Sequence, residues 1–65
     1  MLYCLYKKSH GYLVCNQGTH QYSPIGAPLL FSLQAAVLML NKMNKLAPKP
    51  GQAFIIEEGT DPNSL

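Results

Sequence analysis

The amino-acid sequence predicts a small α+β domain in which one amphipathic helix packs on a small, mostly antiparallel sheet. Three observations carry this prediction. Two short runs rich in aromatic and large apolar residues lie before residue 16, an uninterrupted helical pattern covers residues 33–46, and a third apolar run follows at 53–57. The order of elements is ββαβ, or ββ(β)αβ if the segment before the helix adds a strand. A helix over one sheet face buries both apolar surfaces.

The two N-terminal runs are joined by a polar segment that ends in glycine, which is typical of a β-hairpin. A loop over residues 8–11 pairs Lys7 with Tyr12 and places Cys4 opposite Cys15, and this is the register we favour. A shift of one residue places Cys4 opposite Val14 instead. The following segment, to residue 28, contains two glycines and two prolines. It is predicted to be a long loop in which residues 19–22 and then 29–31 are candidates for short strands.

Ser32 is the predicted N-cap of the helix, because its hydroxyl can accept a hydrogen bond from an N–H group of the first turn. Pro48 disfavours helical backbone at the residue before it and is predicted to stop the helix. Apolar residues recur with a helical period and predict the side that faces the core. They are Leu33, Ala36, Val37, Leu40, Met43 and Ala47, widened on one side by Ala35, Met39 and Leu46.

The C-terminal run 53–57 is apolar throughout its centre, which predicts a middle strand of the sheet. Residues 1–58 form the predicted domain, and residues 59–65 form a flexible polar tail. The longest apolar stretch, at 29–40, is too short to span a bilayer. The N-terminus has no signal-peptide pattern, so we expect a cytoplasmic protein with free thiols and no membrane partner.

Charge is sparse, at 12% of the 65 residues, with a net charge of +2. A small domain with so few charges has little to keep copies apart, so a homodimer is an alternative state. All five basic residues are lysine. Arginine supplies the planar fork that reads guanine and clamps phosphates, and its absence counts against sequence-specific nucleic-acid recognition.

Catalytic and metal chemistry finds little support in the residue pattern. The spacing of the candidate zinc ligands lacks the close cysteine pair of structural zinc modules. The hairpin also places His10 roughly 15 Å or more from both sulfurs. Glu57 and Glu58 are neighbours on a strand and point to opposite faces, so they cannot act as a paired acid and base. We therefore predict a non-enzymatic protein without cofactor or metal, although four residues are of zinc-binding types: Cys4, His10, Cys15 and His20.

Three short motifs lie in the second predicted strand, at the start of the predicted helix and in the last predicted strand. They are Gly-Tyr-Leu at residues 11–13, an apolar-apolar-Phe-Ser step into an alanine-containing helix at 29–36, and Ile-Ile-Glu at 55–57. In this order they resemble small phage-encoded accessory proteins over residues 2–58, although the proline-containing, uncharged loop and the low charge depart from that pattern. The resemblance implies a non-enzymatic protein that binds and inhibits or modulates a larger host or defence protein. It carries over no functional residues.

The predicted function is therefore protein binding, as a phage- or prophage-type accessory module. Leu38 lies inside the polar face of the helix and accompanies an apolar arc about 200° wide, more than one small sheet face needs. The alternatives are a weak nucleic-acid binder that uses lysines and strand tyrosines, and a homo-oligomeric structural protein. The candidate contact residues lie on the helix and at the hairpin tip: Leu38, Asn41, Lys42, Lys45, Lys7, Lys8 and His10.

Overall fold

The computed structural model describes residues 1–46 and 53–64 and confirms the predicted α+β architecture. The strands form one antiparallel four-stranded sheet in the order β3-β2-β1-β4. The optional strand before the helix is therefore present as β3. The elements in chain order are β1 (Tyr3–Lys7), β2 (Gly11–Asn16), β3 (Thr19–Ser23), α1 (Leu33–Leu46), β4 (Ala53–Glu57) and a short 3-10 helix (Pro62–Ser64).

The hairpin register is the shifted alternative, and the register we favoured is wrong. Lys7 pairs with Gly11, and Tyr6 pairs with Tyr12. The loop has three residues, because His10 N–H donates to the Lys7 carbonyl at 2.9 Å and closes the turn. Gly11 takes a φ of +107°, which an L side chain rarely adopts. The chain therefore enters β2 one residue earlier than a four-residue loop would allow.

The last strand is an edge strand, so its prediction as a middle strand is wrong. β4 pairs with β1 along its whole length, from Tyr3–Glu57 to Lys7–Ala53, and lies at the end of the strand order. Its run is apolar because both faces are covered: Ile55 packs against the core under the helix, and Ile56 is buried on the other face. A continuous apolar run therefore indicates that both faces of a strand are covered. It does not indicate whether both edges of the strand are paired.

The segment before the helix is hydrogen-bonded to β1 and β2 and so connects the sheet to α1. Leu29 N–H donates to the Leu13 carbonyl at 3.0 Å, and Phe31 exchanges backbone hydrogen bonds with Tyr3 at 2.7 and 2.8 Å. The candidate strand at 29–31 is thereby reduced to a single bridge. Ser32 is confirmed as the N-cap, since its Oγ accepts from Ala35 N–H at 3.3 Å.

The core lies between α1 and the sheet, where the helix contacts β1 and β4 most. Three fully buried residues, Leu5, Leu13 and Ala36, form its centre. Placement of Leu33 and Val37 in the core stripe is wrong, since they are 53% and 43% exposed. The helix is rotated so that the Met39 side faces the sheet, which leaves these two residues on the flank. Half-buried residues complete the core: Tyr3, Tyr22, Leu29, Phe31, Met39, Leu40, Met43 and Ile55.

Some sequence-based predictions fall outside the described residues. These are the place of Ala47 in the stripe and the role of Pro48 as helix stop, together with the side chain of Leu46. No helix in the described part of the chain is long and apolar enough to cross a membrane.

Candidate functional site

The solvent-facing side of α1 carries four of the predicted contact residues. Leu38 is 65% exposed, and the polar side chains around it are exposed as well. At about 100° per residue, these positions and the exposed Leu33 and Val37 fall on one continuous half of the helix. We call this half the outer helix face: Leu33, Val37, Leu38, Asn41, Lys42 and Lys45.

Sequence reasoning missed Leu33 and Val37 as surface residues. The helical period places them beside Leu40, so periodicity alone assigns them to the core. The helix rests on β1 and β4 and makes fewer contacts with the rest of the sheet, and Leu33 and Val37 lie on its uncovered side. Three large apolar side chains of one helix are therefore available to a partner.

Lysines gather at one end of the molecule. The helix begins next to the Tyr3 end of β1 and is about 21 Å long, so its last turn lies toward the Lys7 end. This brings Lys42 and Lys45 to the same end as the hairpin tip. The carboxylate-bearing Glu57 pairs with Tyr3 at the opposite end of the sheet. From these directions we infer that the two predicted patches, on the helix and on the hairpin, lie toward one end of the sheet, which we call the basic end.

The hairpin-tip residues have different surroundings. Lys8 and His10 are exposed, and a 2.6 Å hydrogen bond joins His10 Nδ1 to the Ser9 hydroxyl. Lys7 is half-buried, with Nζ 5.7 Å from the centre of the Tyr22 ring. The Lys7 ammonium is therefore committed in part to a cation–π contact within the fold, and Lys8 is the more accessible charge.

The sheet face opposite the helix carries an aromatic row that the sequence analysis did not identify. Tyr6 on β1 stands directly across from Tyr12 on β2 and from Phe54 on β4. The ring centres are 5.0 Å and 5.8 Å apart, with interplanar angles of 64° and 70°. We call Tyr6, Tyr12 and Phe54 the aromatic row. Tyr3 and Tyr22 pack against the core, so the four strand tyrosines do not share one surface.

Two open grooves flank Tyr6. The first has a volume of about 480 Å³ and reaches Tyr12 and Tyr22, and the second has a volume of about 420 Å³ and reaches Phe54. Both are bordered by Lys8 and by Pro62 of the 3-10 helix. The Asp61 side chain accepts a hydrogen bond from Asn63 N–H at 2.9 Å, which holds this turn. The C-terminal segment thus contributes a proline side chain to the wall of both grooves.

The cysteines and histidines do not converge. Cys4 is buried, with its sulfur 3.7 Å from the Ile56 carbonyl oxygen, whereas Cys15 is exposed. Burial raises the pKa of the Cys4 thiol, and the nearby charge of Glu58 raises it further. Cys15 stands across from the exposed His20. Among the described residues, no three histidine, cysteine, aspartate or glutamate side chains are grouped to hold a metal ion.

Comparison of the chain with protein-family models, with curated proteins and with solved structures gave no match. The resemblance to phage accessory proteins therefore stays a prediction, and the case for function depends on the geometry of the two surfaces described above.

Proposed function

We propose that this chain is a small non-enzymatic protein-binding module that attaches to a larger partner through the outer helix face. The observation that carries the proposal is the exposure of three large apolar side chains on one helix, led by Leu38 at 65%. Single exposed leucines are ordinary on protein surfaces. Here two leucines and a valine share one half of a 14-residue helix, which is the pattern of a helix that lays an apolar face into a groove.

The free energy available from these side chains favours association. Full burial of a leucine or valine contributes about 1.5–3 kcal/mol, and roughly half or more of that burial is still open at each of the three positions. A small domain with a thin core would gain stability by covering them itself. It leaves them exposed in the folded state, so a partner surface is where they can contribute.

The charges around Leu38 indicate the chemistry of that surface. Lys42 follows Leu38 by one helical turn and Lys45 by two, so both lie on the C-terminal side of the leucine. Complementarity favours a partner with an apolar pocket for Leu38 and carboxylates beside it, toward the basic end. Binding of this kind would act by covering a surface of the partner, in keeping with the inhibitory role that the phage resemblance implies.

The nucleic-acid alternative has less support. Stacking of successive bases uses several aromatic rings on one surface, and only two of the four strand tyrosines, Tyr6 and Tyr12, are so placed. Burial, and then the charge of Glu58, raise the pKa of Cys4 behind this surface, and burial followed by the Cys4, Tyr6 and Asp61 groups raises the pKa of Tyr12, so both carboxylates lie nearby. Carboxylates in that position repel a phosphate backbone.

The test is capture with matched baits. The tagged full chain, Leu38→Glu and Ile25→Glu are used in parallel on a bacterial lysate, with circular dichroism to confirm that all three are folded. Ile25 is 78% exposed in the loop before the helix, so its variant removes the same kind of side chain away from the outer helix face. We expect a protein that is retained by the wild type and by Ile25→Glu but reduced at least tenfold by Leu38→Glu.

Two outcomes contradict the proposal. One is a partner retained equally by all three baits, and the other is the absence of any partner specific to the folded wild-type chain. Light scattering on the same samples addresses self-association. A wild-type dimer that Leu38→Glu converts to a monomer would replace the larger partner with a second copy of this chain.

A further inference from the structure

We propose that the outer edge of β4 binds a second copy of this chain, whose own β4 pairs with it antiparallel and joins the two sheets into one. Among the residues that the structure describes, β4 has a hydrogen-bonded neighbour on one side only, which is β1. This edge is separate from the outer helix face, so the inference does not depend on the function proposed for that face.

The hydrogen-bonding pattern identifies the backbone groups that face outward from β4. The strand pairs with β1 in unbroken register, and just beyond it Glu58 N–H donates to the Leu2 carbonyl at 2.8 Å. Hydrogen-bonded and non-bonded pairs alternate along an antiparallel ladder, so Phe54 and Ile56 are the residues of β4 that bond to β1. The remaining residues of the strand present their N–H and C=O groups to the outer edge: Ala53, Ile55 and Glu57.

The sequence of β4 does not protect this edge. Edge strands of monomeric proteins commonly carry a lysine, a proline or a bulge that prevents pairing with another chain. β4 is Ala-Phe-Ile-Ile-Glu and has no bulge in its pairing with β1. An open groove of about 420 Å³ touches Phe54, Ile55 and Ile56. Because the Ile55 side chain packs against the core on the other face, the groove reaches this residue through its backbone.

A two-fold axis at Ile55 makes the strand complementary to itself. Ile55 then pairs with Ile55 of the second copy, and Ala53 pairs with Glu57 of the second copy, so every outward-facing backbone group is used. Each of these pairs exchanges two backbone hydrogen bonds, about six in all. On the face opposite the helix, the half-buried Phe54 ring stands across from Ile56 of the second copy, which adds an apolar cross-strand contact.

This pairing also brings opposite charges together. Ala53 pairs with Lys7 of β1, toward the basic end, whereas the exposed Glu57 pairs with Tyr3 at the opposite end of the sheet. Antiparallel pairing places Glu57 of the second copy beside Ala53 and so beside the basic end of the first copy. The same contact occurs a second time by symmetry. Each copy therefore supplies a carboxylate to the basic end of the other, which favours a second copy as the occupant of the edge.

The other edge of the sheet, β3, offers less. A two-residue turn joins β2 to β3, so Asn16–Thr19 is a hydrogen-bonded pair. The alternation then leaves only His20 and Tyr22 with backbone groups that face outward. Self-pairing of β3 would form about four hydrogen bonds, against about six at β4. The β3 strand is also polar and is followed at once by Pro24.

Sedimentation equilibrium of the full chain at several concentrations tests the dimer. We expect a monomer–dimer equilibrium that Ala53→Pro and Glu57→Lys each weaken at least tenfold. Proline at the first residue of an edge strand removes an outward N–H and leaves the bonds to β1 in place. His20→Pro removes the corresponding group from β3 and should leave dimerisation unchanged, as should Leu38→Glu. Circular dichroism confirms that each variant is folded.

Amide hydrogen exchange of the ¹⁵N-labelled full chain, at low and at high concentration, tests the register without any substitution. The Ile55 and Glu57 N–H groups should gain protection as the concentration rises. The Phe54 and Ile56 N–H groups should be protected at both concentrations, because they bond to β1 within one copy.

Three results would overturn the site: a chain that stays monomeric at millimolar concentration, a dimer that His20→Pro or Leu38→Glu dissociates while Ala53→Pro does not, or a dimer in which Ile55 gains no protection. Failure here is distinct from failure of the proposed function, because capture of a larger partner depends on Leu38 and this dimer does not.

Discussion

Replacement of Gly11 by alanine tests the turn that sets the hairpin register. Gly11 opens β2 with a φ of +107°, and a Cβ atom there would lie 2.2 Å from the Ser23 carbonyl oxygen and 2.8 Å from the Pro24 nitrogen. These are backbone atoms, so no side-chain rotation can relieve the overlap. The end of β3 must move by at least 0.8 Å to bring the first distance from 2.2 to 3.0 Å. That end is held by the pairing of Ser23 with Tyr12.

Two terms set the size of the effect. An L residue in the left-handed region costs about 1–2 kcal/mol, and forcing an extra group against packed atoms costs about 1–3 kcal/mol more. The sum is about 2–5 kcal/mol. A chain of this length has a total free energy of unfolding of about 3–10 kcal/mol, so Gly11→Ala should remove a large part of it.

Gly18→Ala is the matched control. Gly18 also has a positive φ, of +80°, but nothing lies within 4 Å of its Cβ position, so only the first term applies. Urea unfolding followed by far-ultraviolet circular dichroism should show a larger loss for Gly11→Ala by at least about 1 kcal/mol. Equal losses for the two variants would refute the steric argument and the position of β3 on which it depends.

Three further predictions concern single side chains. The Tyr22 hydroxyl is buried without a hydrogen-bond partner among the described residues, so Tyr22→Phe should raise the free energy of unfolding by about 1 kcal/mol; a loss of that size in urea unfolding would contradict this. Burial, and then the charge of Glu58, raise the pKa of Cys4 in the folded chain above its value in the unfolded chain. As the pH rises, the unfolded chain loses this proton first, so the free energy of unfolding should fall above about pH 9.0. Urea midpoints between about pH 8 and 10 measure this slope, and Cys4→Ala should flatten it. Ser32→Ala removes the helix cap and should lower the free energy of unfolding by about 0.5–2 kcal/mol by the same assay; an unchanged urea midpoint would contradict the capping role.

The helix and its start were predictable because the signals are local. Ser32 precedes an unbroken apolar period, and the structure begins α1 at the next residue and caps it with that hydroxyl. The position of β4 at an edge was not predictable in the same way. An apolar run such as residues 53–57 reports that both faces are covered, while the strand order depends on which neighbour the crossover reaches.

The two candidate surfaces differ in whether they could be predicted from the sequence, and the reason is the same. Leu38 could be identified from the sequence because its exposure follows from its angle on the helix, a local quantity. The aromatic row could not, because it depends on the hairpin register. In the register that pairs Lys7 with Tyr12, Tyr6 stands across from Leu13, and Tyr12 lies on the opposite face of the sheet. The left-handed turn at Gly11 shifts the pairing by one residue, brings Tyr12 across from Tyr6, and so creates both the row and the grooves beside it. A variant that lost the Gly11 turn would therefore lose the aromatic row before it lost the outer helix face.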